Sequence, residues 1–391
     1  RHWLPVIDHP YDKAACRFRV EAPSHYQVVA VGDLVEECDL PNQRRLTVYE
    51  EPAFLPTKVM VIAVAQFAVA HLPALRDIQL ESWVYPEDRE AGFARFTVVS
   101  DIIRFYEGLI GPFAFAKIAS VQSKTRFGGM ENAGAVFYNE GVVRMTPGTE
   151  TLIAHEMAHQ WFGDGVSEAD WHHIWLSEGF ATYLTSVYSG HRFGAEAMRD
   201  SLLRARQRVV GDAVKNPDGR VIDPRVGMDG LLSTLTYQKG AWALHMLRQL
   251  LGEVTFWTCL KTFYQRFNGR SALTSDLLLA MEEQSGQKLG WFFDQWLKNP
   301  GFPVLKVSWR PEGVLCIEQV QKWPHYYTFD LDVDVVHSES DRPLRQCVHI
   351  TGPKTDIPLL LEKAPKRLVM DPDVKLLFAE PGWESLTDTQ K

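Results

Sequence analysis

Cysteine is scarce in this chain of 391 residues: Cys16, Cys38, Cys259, Cys316 and Cys347 are widely separated and make no CxxC pair. A sparse, odd-numbered set of this kind excludes a disulfide scaffold. The five are expected to be buried thiols, with a single bridge left open. Long apolar runs are missing as well. The longest, Val59 to Leu72, has fourteen residues, contains Gln66 and is rich in valine, so it is too short to span a bilayer and is expected to form a buried strand. Positive charge is not in surplus either: 41 Lys and Arg against 49 Asp and Glu leave a formal net charge of -8, which removes the broad basic face that nucleic acid requires. Internal repeats, heptads and low-complexity tracts are absent. What is present is 46% hydrophobic residues over a length suited to two or three domains, ample for large buried cores.

The strongest positive signal is His155-Glu156-Met157-Ala158-His159, followed after eighteen intervening residues by Glu178 in Trp175-Leu176-Ser177-Glu178-Gly179. On an α-helix, positions i and i+4 share a face, so His155 and His159 can turn ring nitrogens toward one ion. Glu156 is offset around the helix, which suits a carboxylate that leaves the metal alone and reaches its water as general base. Glu178 completes three protein ligands and leaves a fourth position open, the mark of a catalytic rather than a structural zinc. Two histidines on a helix can also merely pack, and chance produces HExxH in roughly a few per cent of chains of this length. The surroundings argue against chance. Thr149 to Phe162 has helical character, with Pro147 and Gly148 before it and Gly163 after it. Trp175 to Tyr188 places Glu178 on an apolar helical face, where a buried carboxylate needs a cationic partner. His172 and His173, between the two helices, are expected to start the second helix and not to bind metal.

Short alternating segments, among them Arg17–Glu21, Arg45–Glu51 and Val59–Val69, make residues 1–81 an N-terminal β-domain. The chain opens on Arg1, inside that domain, so residues are expected upstream of it, and any leader would lie among them. Helical periodicity at Phe96–Leu109, Thr149–Phe162, Trp175–Tyr188, Thr234–Leu251 and Leu289–Leu297 marks 82–301 as the catalytic domain. Asn299-Pro300-Gly301-Phe302-Pro303 breaks that periodicity. Strands expected at Val304–Trp309, Val314–Val320, Tyr327–Val336 and Arg367–Met370 then define 302–391 as a second β-domain.

Upstream of the histidines lies Arg126-Phe127-Gly128-Gly129-Met130-Glu131-Asn132-Ala133-Gly134. Alone, two glycines before an acid indicate only a turn beside a strand. Together with HEMAHQWFG and WLSEGFATY, the segment resembles the GxMEN motif of zinc aminopeptidases related to aminopeptidase N, a gluzincin family. The resemblance also takes in Arg1–Pro10, Gly111–Tyr138, Thr236-Tyr237-Gln238-Lys239-Gly240 and Asn299–Pro303. It implies an α+β fold in which a thermolysin-like, mainly helical zinc domain is flanked by a truncated N-terminal β-domain and a C-terminal β-sandwich.

Several roles follow from the resemblance. Glu131 takes the role of holding the substrate's free α-ammonium, and a carboxylate fixed near the metal does so when the scissile carbonyl is one residue away. Gly128 and Gly129 lie along the bound substrate, where the lack of Cβ allows close approach. Asn132 braces the loop, and Met130 is expected to be packing or pocket wall and not a cofactor contact. A tyrosine on an amphipathic helix is ordinarily core, but the TYQKG context gives Tyr237 the role of donor to the oxyanion. The implied cofactor is one Zn2+ per chain, and the implied partners are peptides with a free N-terminus. Two departures from the family are visible. The second amine-anchoring residue falls just before the segment that matches Arg1, and the larger helical domain that follows the β-domain in some relatives has no counterpart here. Competing readings are a thermolysin-type endopeptidase, an epoxide hydrolase of the leukotriene type and a non-catalytic scaffold. The first is disfavoured by Glu131, and the last by the presence of all three ligands, the base and the tyrosine.

Overall fold

The computed structural model describes residues 3–144, 148–337, 342–359 and 364–384. Period-two alternation shapes the N-terminal third. Strand Arg44–Pro56 lies between Lys13–Pro23 and Asp33–Leu40, antiparallel to both, and Gln27–Ala30 pairs with Ile62–Ala65. The run Val59–Leu72 is not one strand. A 3-10 turn at Thr57–Val59 precedes Ile62–Ala65, and Ala68–Leu75 then joins a different sheet. The break is stabilised by a side chain distant in sequence: Gln27 Oε1 accepts from the Phe67 amide at 2.7 Å, satisfying a backbone donor that a continuous strand would have paired.

The sheet that positions the site has five strands, in the spatial order Ala68–Leu75, Ile78–Val84, Lys117–Ser123, Ala135–Asn139, Gly129–Met130. Its first and last pairs are antiparallel and its two inner pairs parallel. Helices Arg89–Phe96 and Val99–Leu109 supply the crossover that the first parallel pair requires. Strand Lys117–Ser123 is buried along nearly its whole length, as expected for a strand covered on both faces. The expected boundary at residue 81 falls inside strand Ile78–Val84; because ladder hydrogen bonds make a strand one unit, we propose the break near residue 66 instead.

The longest apolar helical face belongs to Trp175–Phe193, which packs against Thr149–His159, Ala195–Lys215 and Gly240–Leu251. Phe180, Tyr183 and Leu184 are fully enclosed, and burial of each contributes about 2 kcal/mol. Helix Ala195–Lys215 was not apparent in the sequence because its apolar stripe is thin: only Leu202, Ala205, Val209 and Ala213 are buried. Glu253–Phe267 and Thr274–Ser285 are two further helices beyond those expected. Pro147, expected before the first motif helix, lies outside the described residues.

Beyond Asn299 the chain forms two three-stranded sheets. One orders Leu305–Arg310, Val314–Gln319 and Lys354–Pro358; the other orders Leu344–Ile350, Phe329–Val336 and Arg367–Met370. All five cysteines are free thiols. Cys259 and Cys316 are buried and Cys16 is half-buried, but Cys38 and Cys347 are exposed because they occupy outward positions on the edge strands Asp33–Leu40 and Leu344–Ile350. Among the described residues, no helix is long and apolar enough to cross a membrane.

Candidate active site

Helix Thr149–His159 places His155 and His159 one turn apart, and helix Trp175–Phe193 brings Glu178 to them. The two Nε2 atoms are 3.3 Å apart, and Glu178 Oε2 lies 3.3 Å from that of His159 and 3.6 Å from that of His155. A tetrahedral ion with bonds of about 2.0–2.2 Å needs ligand atoms about 3.3–3.6 Å apart, so the triangle has the edges that zinc requires. The donor chemistry fits as well. His159 Nδ1 donates to the Phe162 carbonyl at 3.2 Å and also meets the Ser177 hydroxyl at 3.0 Å; a carbonyl can only accept, so the hydrogen sits on Nδ1 and Nε2 is left with its lone pair. Glu178 Oε2 is buried and faces both imidazole Nε2 atoms, as a carboxylate placed to share a cation with them would.

The electrostatics point the same way. Burial by itself would raise Glu178, yet His159 and His155 hold it well below the ordinary carboxylate range. Burial likewise opposes charge on His159, but Glu178, Glu131 and Glu156 outweigh it and raise that ring to about 10. Glu156 is raised to about 8, chiefly by burial, with His159 opposing and Glu131 and Glu178 adding to the rise.

Glu131 enters from the sheet. Strand Gly129–Met130 lies at the sheet edge, with Met130 opposite Phe137 and Gly129 opposite Tyr138, so its outer side is unpaired. Just beyond it, Glu131 is buried, and carboxylate oxygens of Glu131 and Glu156 and a ring nitrogen of His159 all lie within 4.8 Å of one another. Asn132 Nδ2 donates to the Met130 carbonyl at 3.3 Å. Gly129 sits directly against Glu156: a Cβ there would overlap its carboxylate. At Gly128 the nearest atoms to a Cβ are the Leu152 methyls at 3.3 and 3.4 Å, and its carbonyl accepts from the Asn139 amide at 2.9 Å. The two glycines are therefore unequal. Gly129→Ala should lower turnover on the order of tenfold by displacing Glu156, whereas Gly128→Ala should change it by less than about threefold, since methyl groups can yield a few tenths of an ångström. Steady-state rates of the two variants, with zinc content measured alongside, check the contrast.

Tyr237 occupies neither a regular helix nor the core. The stretch expected as helix Thr234–Leu251 begins with a π-turn, Leu235–Lys239, before Gly240–Leu251 becomes α-helical; such turns reorient a side chain out of helical register. Tyr237 is half-buried, its ring lies parallel to that of His155 at 6.2 Å, and its hydroxyl interacts with the Glu178 carboxylate. Burial, then Glu178, raises the phenol far above its usual range, so it stays protonated and able to donate. What brings it there is a helix crossing without side chains: a Cβ on Gly179 would come within 3.1 Å of Gly240 Cα, and one on Gly240 within 3.2 Å of Gly179 Cα. The residues following Glu178 and Lys239 thus let two helices touch backbone to backbone.

Other contributors carry no motif signal of their own. Gln160 Nε2 donates to the Glu131 carbonyl at 3.0 Å and to Asp164 at 2.8 Å, and its Oε1 accepts from the Gly134 amide at 2.9 Å, which fastens the GGMEN loop to the histidine helix. Its position directly after His159 was the available clue. Lys58, 2.7 Å from the wholly buried Glu168, also acts electrostatically on Glu131. His172 is engaged by Asp170 at 2.9 Å and His173 by Thr274 at 2.8 Å.

Residues 95–296 match the model described as the Peptidase family M1 domain, more than half of the chain. The chain belongs to peptidase family M1. Within the family it is 27% identical over 340 residues to Aminopeptidase M1-A of Oryza sativa subsp. japonica, covering 82% of this chain and 38% of that protein. It is 26% identical to the Puromycin-sensitive aminopeptidase of Caenorhabditis elegans, over 82% of this chain and 36% of that one. It is 28% identical to Tricorn protease-interacting factor F2 of Thermoplasma volcanium, with 78% and 40% covered. This M1 chain therefore spans well under half the length of these curated relatives. Its fold is that of Legionella pneumophila aminopeptidase A, solved in complex with aspartic acid: TM-score 0.81, 17% identity, 95% of this chain and 45% of the other.

Proposed function

We propose that this M1 chain carries a zinc-dependent aminopeptidase site that removes the first residue of peptides with a free N-terminus. The observation that carries the reading is the placement of Glu131, a buried carboxylate at the sheet edge that shares a 4.8 Å cluster with Glu156 and His159. An ammonium bound to Glu131 leaves room for about one residue before the metal position, which selects the first peptide bond. The relatives named as aminopeptidases support the same reading.

His155, His159 and Glu178 would hold the zinc, which when bound supplies Lewis acidity toward the carbonyl and lowers the pKa of a water. Glu156 takes the proton of the attacking water and passes it to the leaving amine. Tyr237 donates its hydroxyl hydrogen to the oxygen that gains charge. Glu131 fixes the register by its charge-assisted hydrogen bond to the amine, and Gln160 and Asn132 hold the loop that carries it.

One peptide in two forms, free and N-acetylated, incubated with the zinc-loaded chain and with a chelated control, tests the proposal by mass spectrometry. Stepwise loss of the first residue is expected from the free form alone, and the chelator should abolish it. Internal cleavage of both forms would replace the reading with an endopeptidase, and intact peptides despite bound zinc would overturn it.

A further inference from the structure

Three side chains from the helical region grip one strained turn of the C-terminal region. In turn 371–374, Asp371 and Val374 both have positive φ, 45° and 57°. A β-branched residue in that region of conformational space persists only where its surroundings hold it. Here the holders are identifiable. From helix Ala195–Lys215, Arg199 donates to the Pro372 carbonyl at 2.7 Å and Arg206 to the Leu376 carbonyl at 2.5 Å. From helix Gly240–Leu251, which follows the π-turn carrying Tyr237, His245 Nε2 lies 2.9 Å from the carbonyl of Val374 itself.

The direction of its hydrogen bonds fixes the protonation of His245. Arg248 Nη1 lies 3.2 Å from the Tyr183 hydroxyl and can only donate to it. The Tyr183 hydrogen is then directed at His245 Nδ1, 3.3 Å away, which accepts. At the other end of the chain a carbonyl can only accept, so the single ring hydrogen sits on Nε2 and donates to Val374. The ring is neutral, and a proton added at Nδ1 would displace the Tyr183 hydrogen from its acceptor. Nothing nearby favours that proton. His245 is 5% exposed, and among the described residues no acid is ion-paired with it. The charged groups that act on it are Arg248 and Arg206, the latter 5.0 Å over the Trp242 ring, which lies 5.4 Å from the His245 ring. The acids next to them are already taken, Glu253 by Arg248 and Asp371 by Arg206. Burial, opposed by the bond to Val374 and joined by Arg248 and Arg206, pushes His245 down to about 4.

We propose that His245 is an acid-sensitive latch, separate from the metal triad, that holds turn 371–374 against the helices and releases it on protonation. An unfolded or opened chain takes up the proton near the ordinary histidine value of about 6.5. The closed state is therefore fully favoured above that pH and loses its advantage as pH falls from about 6.5 toward about 4. Deuterium uptake of segment 371–377 in the full chain at pH 7 and pH 5, corrected for intrinsic exchange rates, tests this. The opening constant should rise about twentyfold between the two values in the native chain and less than about twofold in His245→Gln. Comparing native chain and variant cancels any change at the metal. Tyr183→Phe decides the question if His245→Gln does not fold. Without a donor on Nδ1 the ring can take its proton with the latch closed, so the rise should be smaller than in the native chain. No rise in the native chain, an equal rise in His245→Gln or, where that variant does not fold, an equal rise in Tyr183→Phe overturns the assignment.

Discussion

Glu156→Gln should keep its zinc and lose turnover by about 10²–10⁴-fold, the range that general acid–base catalysis contributes. The substitution is nearly isosteric and removes only the ability to carry a proton. Glu156 is 4% exposed and stands beside His159 but outside the ligand triangle of His155, His159 and Glu178, so the metal's donors are untouched. Zinc content measured on the same preparation as kcat separates the cases. Full zinc with normal turnover would remove Glu156 from the chemistry, whereas lost zinc would mean that it helps hold the ion.

Tyr237→Phe should cost about 3 kcal/mol of transition-state stabilisation, roughly 150-fold in kcat/KM, which is the size of one lost oxyanion donor. The phenol is held protonated by burial and by Glu178, and its ring lies alongside His155, so the hydroxyl stands beside the His155, His159 and Glu178 cluster. Charge on the oxygen develops only in the transition state, so kcat should fall while KM stays nearly constant. A variant that instead raised KM with kcat unchanged would recast Tyr237 as a substrate-binding group.

The parts of this site that were legible in advance are those whose geometry is local. Two histidines four apart must share a helix face, and that periodicity alone placed His155 beside His159 and set Glu156 to one side. Glu178 was legible for a different reason: an acid on an apolar helical face calls for a cation. Glu131 and Tyr237 were not legible in this way. A Gly-Gly-acid turn and a tyrosine in an amphipathic segment are common, and only the resemblance of GGMEN and TYQKG to known motifs singled them out. The continuous strand expected at Val59–Leu72 shows the opposite failure. Its pattern was read correctly as apolar and β-forming, but a glutamine more than thirty residues earlier caps Phe67 and divides it.

Residue type and spacing along one chain thus single out His155, Glu156, His159 and Glu178 and set the alternation of β and helical blocks, because helix and strand periods act over a few residues. Folding decides the rest: that Gly129 abuts Glu156, that Gly179 and Gly240 let two helices meet so that Tyr237 faces Glu178, and that Gln160 ties the GGMEN loop to the histidine helix. Such contacts join residues far apart in sequence, and whether a buried polar atom has a partner is a property of the packed interior, where the energetic penalty for lacking one is large.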